Sequence, residues 1–237
     1  MILAPATVNP ERIVLNLTAD PASEMAVTWR SAPGSAGQVQ YAVATSSPDF
    51  VKSPMTLAAT TDDAVLPVRE DPAFRAAYHS AVLKGLQADT VYAYRVGDGT
   101  HWSEWLQFRT ASREAKPFRF IYMGDMQNQI LSEASRTLRM AFRQAGDAAF
   151  TIHAGDLINR HDSDAEWGEW FTGGFLYAQT PQMPTPGNHE YVKDETARAA
   201  PRSTASGAAS SPCPKTARPT FPPAAKPAGT PTIRACA

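Results

Sequence analysis

Apolar and polar positions alternate with a period of two at the start of the chain, in Ile13, Leu15 and Leu17 and again in Met25, Val27 and Trp29. That is the period of half-buried strands, one face on a core and the other toward solvent. Asp20-Pro21 and Pro33-Gly34-Ser35-Ala36-Gly37 punctuate the runs as turns. Short strands at this spacing, from residue 8 to about 112, predict an all-β sandwich. The pattern changes after the polar, Pro-terminated linker Ser112-Arg113-Glu114-Ala115-Lys116-Pro117. Phe118 to Met123 reads as a strand. Leu131, Leu138, Phe142 and Ala145 then recur at helical spacing, with Gly146 placed to end the helix, and Ala148 to His153 reads as a buried strand. Asp164 is placed to cap a short helix that carries Trp167, Trp170 and Phe171 on one face as core residues, and Gln182 to Pro186 reads as a third strand. Strand, helix, strand order of this kind predicts parallel pairing and right-handed crossovers.

Three Gly-containing fragments follow these three strands: Gly124-Asp125, Gly155-Asp156 and Gly187-Asn188-His189-Glu190. They therefore fall on one edge of one sheet, where open α/β sheets place ligand chemistry. Asp125 and Asp156 lie 31 residues apart, and Asp156 and Asn188 lie 32 apart. Two carboxylates and a carboxamide on neighbouring strand ends make an oxygen-rich set suited to hard cations. Two such ions clamp a phosphate and generate a hydroxide nucleophile near neutral pH, with the central Asp156 as the natural bridge. A single Gly-Asp pair is ordinary turn chemistry. The ordered trio is what carries the metal reading.

Within the β module, Leu86-Gln87-Ala88-Asp89-Thr90-Val91-Tyr92-Ala93-Tyr94-Arg95-Val96, with Trp29 on an early strand, resembles a fibronectin type III domain. The resemblance implies that Tyr92 turns its hydroxyl back onto the corner backbone. Such a domain serves as a recognition module or as a scaffold beside a catalytic domain, and no exposed aromatic patch favours recognition. Trp102 and Trp105 stand apart as residues that could pack against the next domain.

The three fragments resemble the motif order of the calcineurin-like metallophosphoesterase superfamily, and the fibronectin-like module in front brings the resemblance closer to the purple acid phosphatases and their bacterial relatives. The resemblance implies a hydrolase that cleaves phosphate monoesters with a hydroxide activated by two metal ions, drawn from Fe, Zn, Mn or similar. Phosphodiesterase and pyrophosphatase chemistry use the same core. By resemblance Asp125 binds the first metal, Asp156 bridges, Asn188 binds the second, and His189 orients phosphate or protonates the leaving oxygen. Arg160 matches a phosphate-clamping arginine of the serine/threonine phosphatase branch. Two positions depart from the pattern. Asn159 stands where the purple enzymes have an iron-ligating tyrosine. Gln127 stands where the wider superfamily has a histidine and the purple enzymes a glycine, and it is read as satisfying its loop. His153 is read as a buried strand-end residue, His161 as a solvated loop residue, and His79 and His101 as belonging to the β module.

Composition is most informative at the C-terminal end. Residues 196–237 contain no Leu, Val, Met, Trp, Tyr, Asp or Glu but eight Pro and twelve Ala, too little apolar surface to offset ordering entropy. Six Lys or Arg and no acid fall there, and no histidine follows His189, although the family pattern places further histidine ligands downstream. When codons are reread one base earlier, Ala205 to Arg218 and Ala228 to Ala237 become peptides that resemble family segments following the third motif. A frameshift between about Glu195 and Thr204 is therefore expected, with a genuine basic tail as the alternative. The expected organisation is a fibronectin type III-like all-β sandwich over 1–112, an incomplete α/β metallophosphoesterase domain over 113–195, and a disordered, out-of-frame tail over 196–237. Such a chain is expected to be impaired as an enzyme, and the other class it fits is a non-catalytic fragment with a fibronectin-like binding module.

A formal net charge of −1 argues against nucleic-acid binding by bulk electrostatics. No apolar run approaches the roughly 18 residues of a membrane span, so no membrane partner is expected. Met1-Ile2-Leu3-Ala4-Pro5 shows no signal-peptide pattern, although family members are often secreted or periplasmic. Cys213 and Cys236 carry no information on redox compartment.

Overall fold

The computed structural model describes residues 5–191. The expectations for residues 196–237 lie outside the described residues. Two sheets form the β module. The strands are β1 (Glu11–Asn16), β2 (Met25–Ser31), β3 (Gln38–Val43), β4 (Met55–Ala58), β5 (Thr60–Val65), β6 (Arg75–Leu83), β7 (Val91–Gly97) and β8 (Leu106–Arg109). One sheet runs β4-β3-β7-β8, all antiparallel. Leu15, Val27, Trp29, Val39, Tyr94 and Phe108 fill the space between the sheets. Tyr92 is 3% exposed, and its hydroxyl accepts the Gln87 backbone N–H at 2.9 Å, which gives a buried ring oxygen the partner it needs. Trp102 and Trp105 pack on a residue of the β module. Both lie against the Arg95 guanidinium, 4.6 and 4.8 Å from ring centre to Cζ, inside the module.

The other sheet continues beyond the module in the order β5-β6-β2-β1-β11-β10-β9, where β9 is Ile121–Met123, β10 Thr151–Ala154 and β11 Gln182–Thr185. The last three are mutually parallel neighbours, as their spacing predicts. β1 joins β11 in parallel through Asn16 and Gln182, and the Asn16 carboxamide donates to the Gln182 carbonyl at 3.0 Å. A bulge interrupts the β1–β2 register between Glu11 and Val14, where Arg12 has φ 54°.

The joint changes how the alternating strands are buried. Expected to be half-buried, β2 is buried throughout, and Val14 of β1 enters the second core with Leu138, Leu157, Trp167 and Trp170. Helices α1 (Ser135–Gln144) and α2 (Asp164–Gly173) flank this core. α1 begins after a wider turn over Ile130–Ala134. That turn changes the helical register, so Leu138 and Phe142 are buried whereas Leu131 of the predicted apolar stripe is 45% exposed. The cap of α2 is Ser163, whose hydroxyl accepts the Glu166 N–H at 3.2 Å; Asp164, expected in that role, is the first helical residue.

The strand predicted over Phe118 to Met123 pairs only from Ile121, and the strand predicted from Ala148 begins at Thr151. Inward residues Ile121, Thr151, His153 and Gln182 are buried by the helices, whereas Tyr122 is 67% exposed on the opposite face. On that second face Met183 is exposed as well, and beside it Phe120 stacks on Phe150 at 5.3 Å with Phe118 tilted against both at 6.4 and 5.8 Å.

Candidate metal and phosphate site

Each of the three fragments is a sharp turn at the end of a parallel strand. Asp125 and Asp156 take left-handed conformations, φ 51° and 52°, which Asp tolerates better than most residues. Gly155 before Asp156 has φ 89°, and a Cβ there would lie 2.6 Å from the Cα and N of Gly187. A Cβ on Gly187 would in turn lie 2.1 Å from Asp156 Oδ1. Glycine at both positions is what lets the second and third turns touch.

Backbone bonds fasten the turns together. The Asp125 N–H donates to the Gly155 carbonyl at 3.1 Å, and the Gln127 N–H to the Asp156 carbonyl at 3.0 Å. The His189 N–H donates to Asp156 Oδ1 at 3.1 Å. His189 Nδ1 lies 2.8 Å from the Asn159 carbonyl, an acceptor, so Nδ1 carries the proton and Nε2 is the ring atom left for another partner. Asp125 and Asn188 are exposed, while Asp156 and His189 are half-buried. Among the described residues neither the Asp125 carboxylate nor the Asn188 carboxamide has a side-chain partner.

Two glutamates that the motif reading left without a role organise the turns. Glu190 is fully buried. Its carboxylate accepts the N–H groups of Asp156 at 2.9 Å, Leu157 at 2.7 Å, Ile158 at 3.1 Å and Gly187 at 2.6 Å. Glu three residues after Gly187 has the spacing of a capping box, and that was the available signal. Glu166 accepts the N–H groups of Asn159 and Arg160 at 2.8 and 2.7 Å, and the Arg160 guanidinium at 3.0 Å. Arg160 is thus half held by an internal partner, with its side chain still 52% exposed.

α2 is anchored by the β module. The buried Asp164 carboxylate takes bonds from Arg12 at 2.8 Å and Arg30 at 2.9 Å, and Glu70 accepts the Ser163 hydroxyl at 2.5 Å and the Asp164 N–H at 3.0 Å. The sandwich therefore holds the helix that holds Asn159 and Arg160.

His153 is buried, as read from the sequence. Its Nε2 lies 2.8 Å from Gln182 Oε1, its ring packs edge-on to Trp170 and Tyr177, and burial pulls its pKa down to about 4. His79 is likewise lowered to about 4 by burial, between the hydroxyls of Ser31 and Thr61 in the β module. His161 is half-buried and uses its carbonyl to accept the Trp167 indole N–H at 3.3 Å.

Among the described residues no three His, Cys, Asp or Glu side chains gather as a ligand group. The donors at the turns are two carboxylates with the carboxamide of Asn188. Close by, the side-chain oxygen of Gln127 is buried without a hydrogen-bond partner. Unpaired oxygens at three turns fastened to one another fit hard cations, which bind oxygen donors.

Residues 10–110 match the family model for the purple acid phosphatase N-terminal domain, and residues 118–214 match the model for calcineurin-like phosphoesterase. No curated protein matches the chain. Of the solved structures, PhoD is similar at 16% identity over 79% of this chain, with a TM-score of 0.52, and this chain spans 41% of its length. That likeness is one of fold. The chicken CNTN1 FN1–FN3 domains match 45% of this chain and 31% of theirs at 17% identity, with a TM-score of 0.29.

Proposed function

Because the chain belongs to the calcineurin-like phosphoesterases and carries a purple acid phosphatase N-terminal domain, we propose that its three turns form a phosphomonoesterase site. Asp125, Asp156 and Asn188 are the metal-holding residues, with Asp156 between the two ions. The observation that carries this reading is the bonding of His189. Its backbone fixes Asp156 Oδ1 while its ring, oriented by the Asn159 carbonyl, presents Nε2.

Two hard cations at such a site supply Lewis acidity toward the phosphoryl group and lower the pKa of water. The chain's own residues do the rest. Asp156 has a second carboxylate oxygen beyond the one that takes the His189 N–H. His189 Nε2 is suited to orient a phosphate oxygen or protonate the leaving oxygen. Arg160 has guanidinium donors beyond the one given to Glu166, suited to a second phosphate oxygen. Asn159, where the purple enzymes have a tyrosine, leaves the site without a phenolate ligand.

The test is metal content by elemental analysis together with p-nitrophenyl phosphate turnover. Stoichiometric metal that is lost in Asp156→Asn, with turnover falling about 10²-fold or more in His189→Ala, supports the reading. Bis(p-nitrophenyl) phosphate and pyrophosphate distinguish the diesterase and pyrophosphatase alternatives. A chain that binds no metal and turns over none of these substrates supports the second reading, a fibronectin-like binding module without catalysis.

His189 is the last histidine in these 237 residues, so we propose that turnover by this stretch of chain is weak. The out-of-frame reading of residues 196–237 is a proposal of the same kind. Codons after Glu195 that cannot encode family-like peptides in the neighbouring frame would sink it.

A further inference from the structure

The loop that follows β9 is fixed on both sides of Gln127. Asp125 is bonded through its N–H to Gly155, and Gln127 through its own N–H to the Asp156 carbonyl. Between them Met126 is 1% exposed, and its sulfur lies 4.0 Å from the Tyr177 hydroxyl in the core. Asn128 and Gln129 follow at φ 63° and 48°, both left-handed. The backbone of the loop is therefore held by main-chain bonds and a buried methionine.

Gln127 Oε1 is the exception. It is buried and has no hydrogen-bond partner. A loop-satisfying role, the one read from the sequence, needs a donor for this oxygen, and the described residues supply none. Buried acceptors without partners are rare, and each calls for a physical explanation such as an ion, a water or stored strain. Of these, an ion accords with the neighbours. Gln127 lies two residues from Asp125 and is bonded through its backbone to Asp156, the two carboxylates of the proposed metal site. A carboxamide oxygen is an ordinary ligand for hard cations.

We infer that Gln127 Oε1 is an oxygen donor to the cation held by Asp125 and Asp156, an inference that rests on the metal-site reading above. Across the two-ion site the donors are then two carboxylates and, with Asn188, two carboxamides, all oxygen. Such a set favours Mn²⁺ or Mg²⁺ over softer ions that prefer nitrogen or sulfur. Gln127 thus bears on which metal the site selects.

The experiment titrates Mn²⁺ into the 237-residue chain at neutral pH, with free Mn²⁺ read by electron paramagnetic resonance. Wild type is compared with Gln127→Leu, Gln127→Glu and Asp156→Asn, each checked for folding by circular dichroism. Gln127→Leu is expected to weaken Mn²⁺ binding at least about ten-fold, about 1.4 kcal/mol, and Gln127→Glu to tighten it. Without metal, Gln127→Leu is expected to melt no lower than wild type, because an apolar group replaces an unpaired acceptor. Wild-type Mn²⁺ affinity in Gln127→Leu overturns the inference and leaves the metal reading intact. If Gln127→Leu does not fold, unchanged affinity in Gln127→Glu overturns it instead. Wild type that binds no Mn²⁺, or binding that survives Asp156→Asn, overturns the metal reading and the inference together.

Discussion

The Glu190 carboxylate accepts the backbone N–H of Asp156 at 2.9 Å, and the same oxygen takes the N–H of Gly187 at 2.6 Å. One buried side chain therefore ties the turn at the end of β10 to the turn at the end of β11, and sets where Asp156 stands relative to Asn188 and His189.

Glu190→Gln is expected to destabilise the fold by about 2–3 kcal/mol, since a carboxamide offers one acceptor oxygen in place of two and turns an NH₂ toward backbone donors. Urea denaturation measures the loss. A variant within about 0.5 kcal/mol of wild type would show that the bonds are not needed to hold the turns.

Asp164 lies between Arg12 and Arg30, with all three side chains nearly fully buried. Asp164→Asn removes the buried carboxylate that both guanidinium groups share, leaving Arg30 paired with Glu11 at 2.7 Å, and is expected to cost about 3–5 kcal/mol. Because α2 carries Glu166, the backbone around Asn159 and Arg160 is expected to loosen as well, seen as faster amide hydrogen exchange there than in β7.

Gly155→Ala is expected to disturb the site directly. Its Cβ would meet backbone atoms of Gly187 at 2.6 Å, and alanine at φ 89° is strained in any surroundings. Strain of this kind costs about 1–3 kcal/mol before the collision is counted. Circular dichroism melting and Mn²⁺ titration of the variant check the two effects, and wild-type behaviour in both would be the contrary result.

Acid stability is expected to depend on His79 and His153, each lowered by burial to about 4 in the folded chain. A histidine whose folded pKa lies below its unfolded value stabilises the fold above the unfolded pKa, about 6.5. That contribution shrinks as the pH falls toward 4, because the unfolded chain takes up protons that the folded chain does not. Each contributes on the order of 3 kcal/mol over that window. Urea denaturation between neutral pH and pH 4.5 is expected to show the loss, and His153→Gln to remove about half of it, the His79 share remaining.

Much of the organisation was legible locally. A period of two in Met25, Val27 and Trp29 marks a strand wherever it packs, and a corner tyrosine such as Tyr92 needs a partner within a few residues, here Gln87. The three strand-end fragments and their order on one sheet edge also follow from local periodicity and spacing. The site was less legible. Nothing in the order of residues says that Glu190 collects four backbone N–H groups, or that Glu166 half-occupies Arg160, because those bonds depend on how two turns and a helix end meet.

Local sequence settles where strands and turns form and which strand ends carry carboxylates and carboxamides, since periodicity, glycine placement and side-chain chemistry act over a few positions. What covers each face depends on packing between distant parts of the chain. Thr28 and Arg30 of β2 read as solvent-facing, yet both are buried, and Arg30 is bonded to Asp164, which stands 134 residues away. Leu131 reads as core and is exposed, because the wide turn before α1 rotates it outward. Burial on a second face is a property of what arrives from elsewhere in the chain. Here a bulged β1, shared by two cores, brings the sandwich against the α/β segment and anchors the helix behind Arg160.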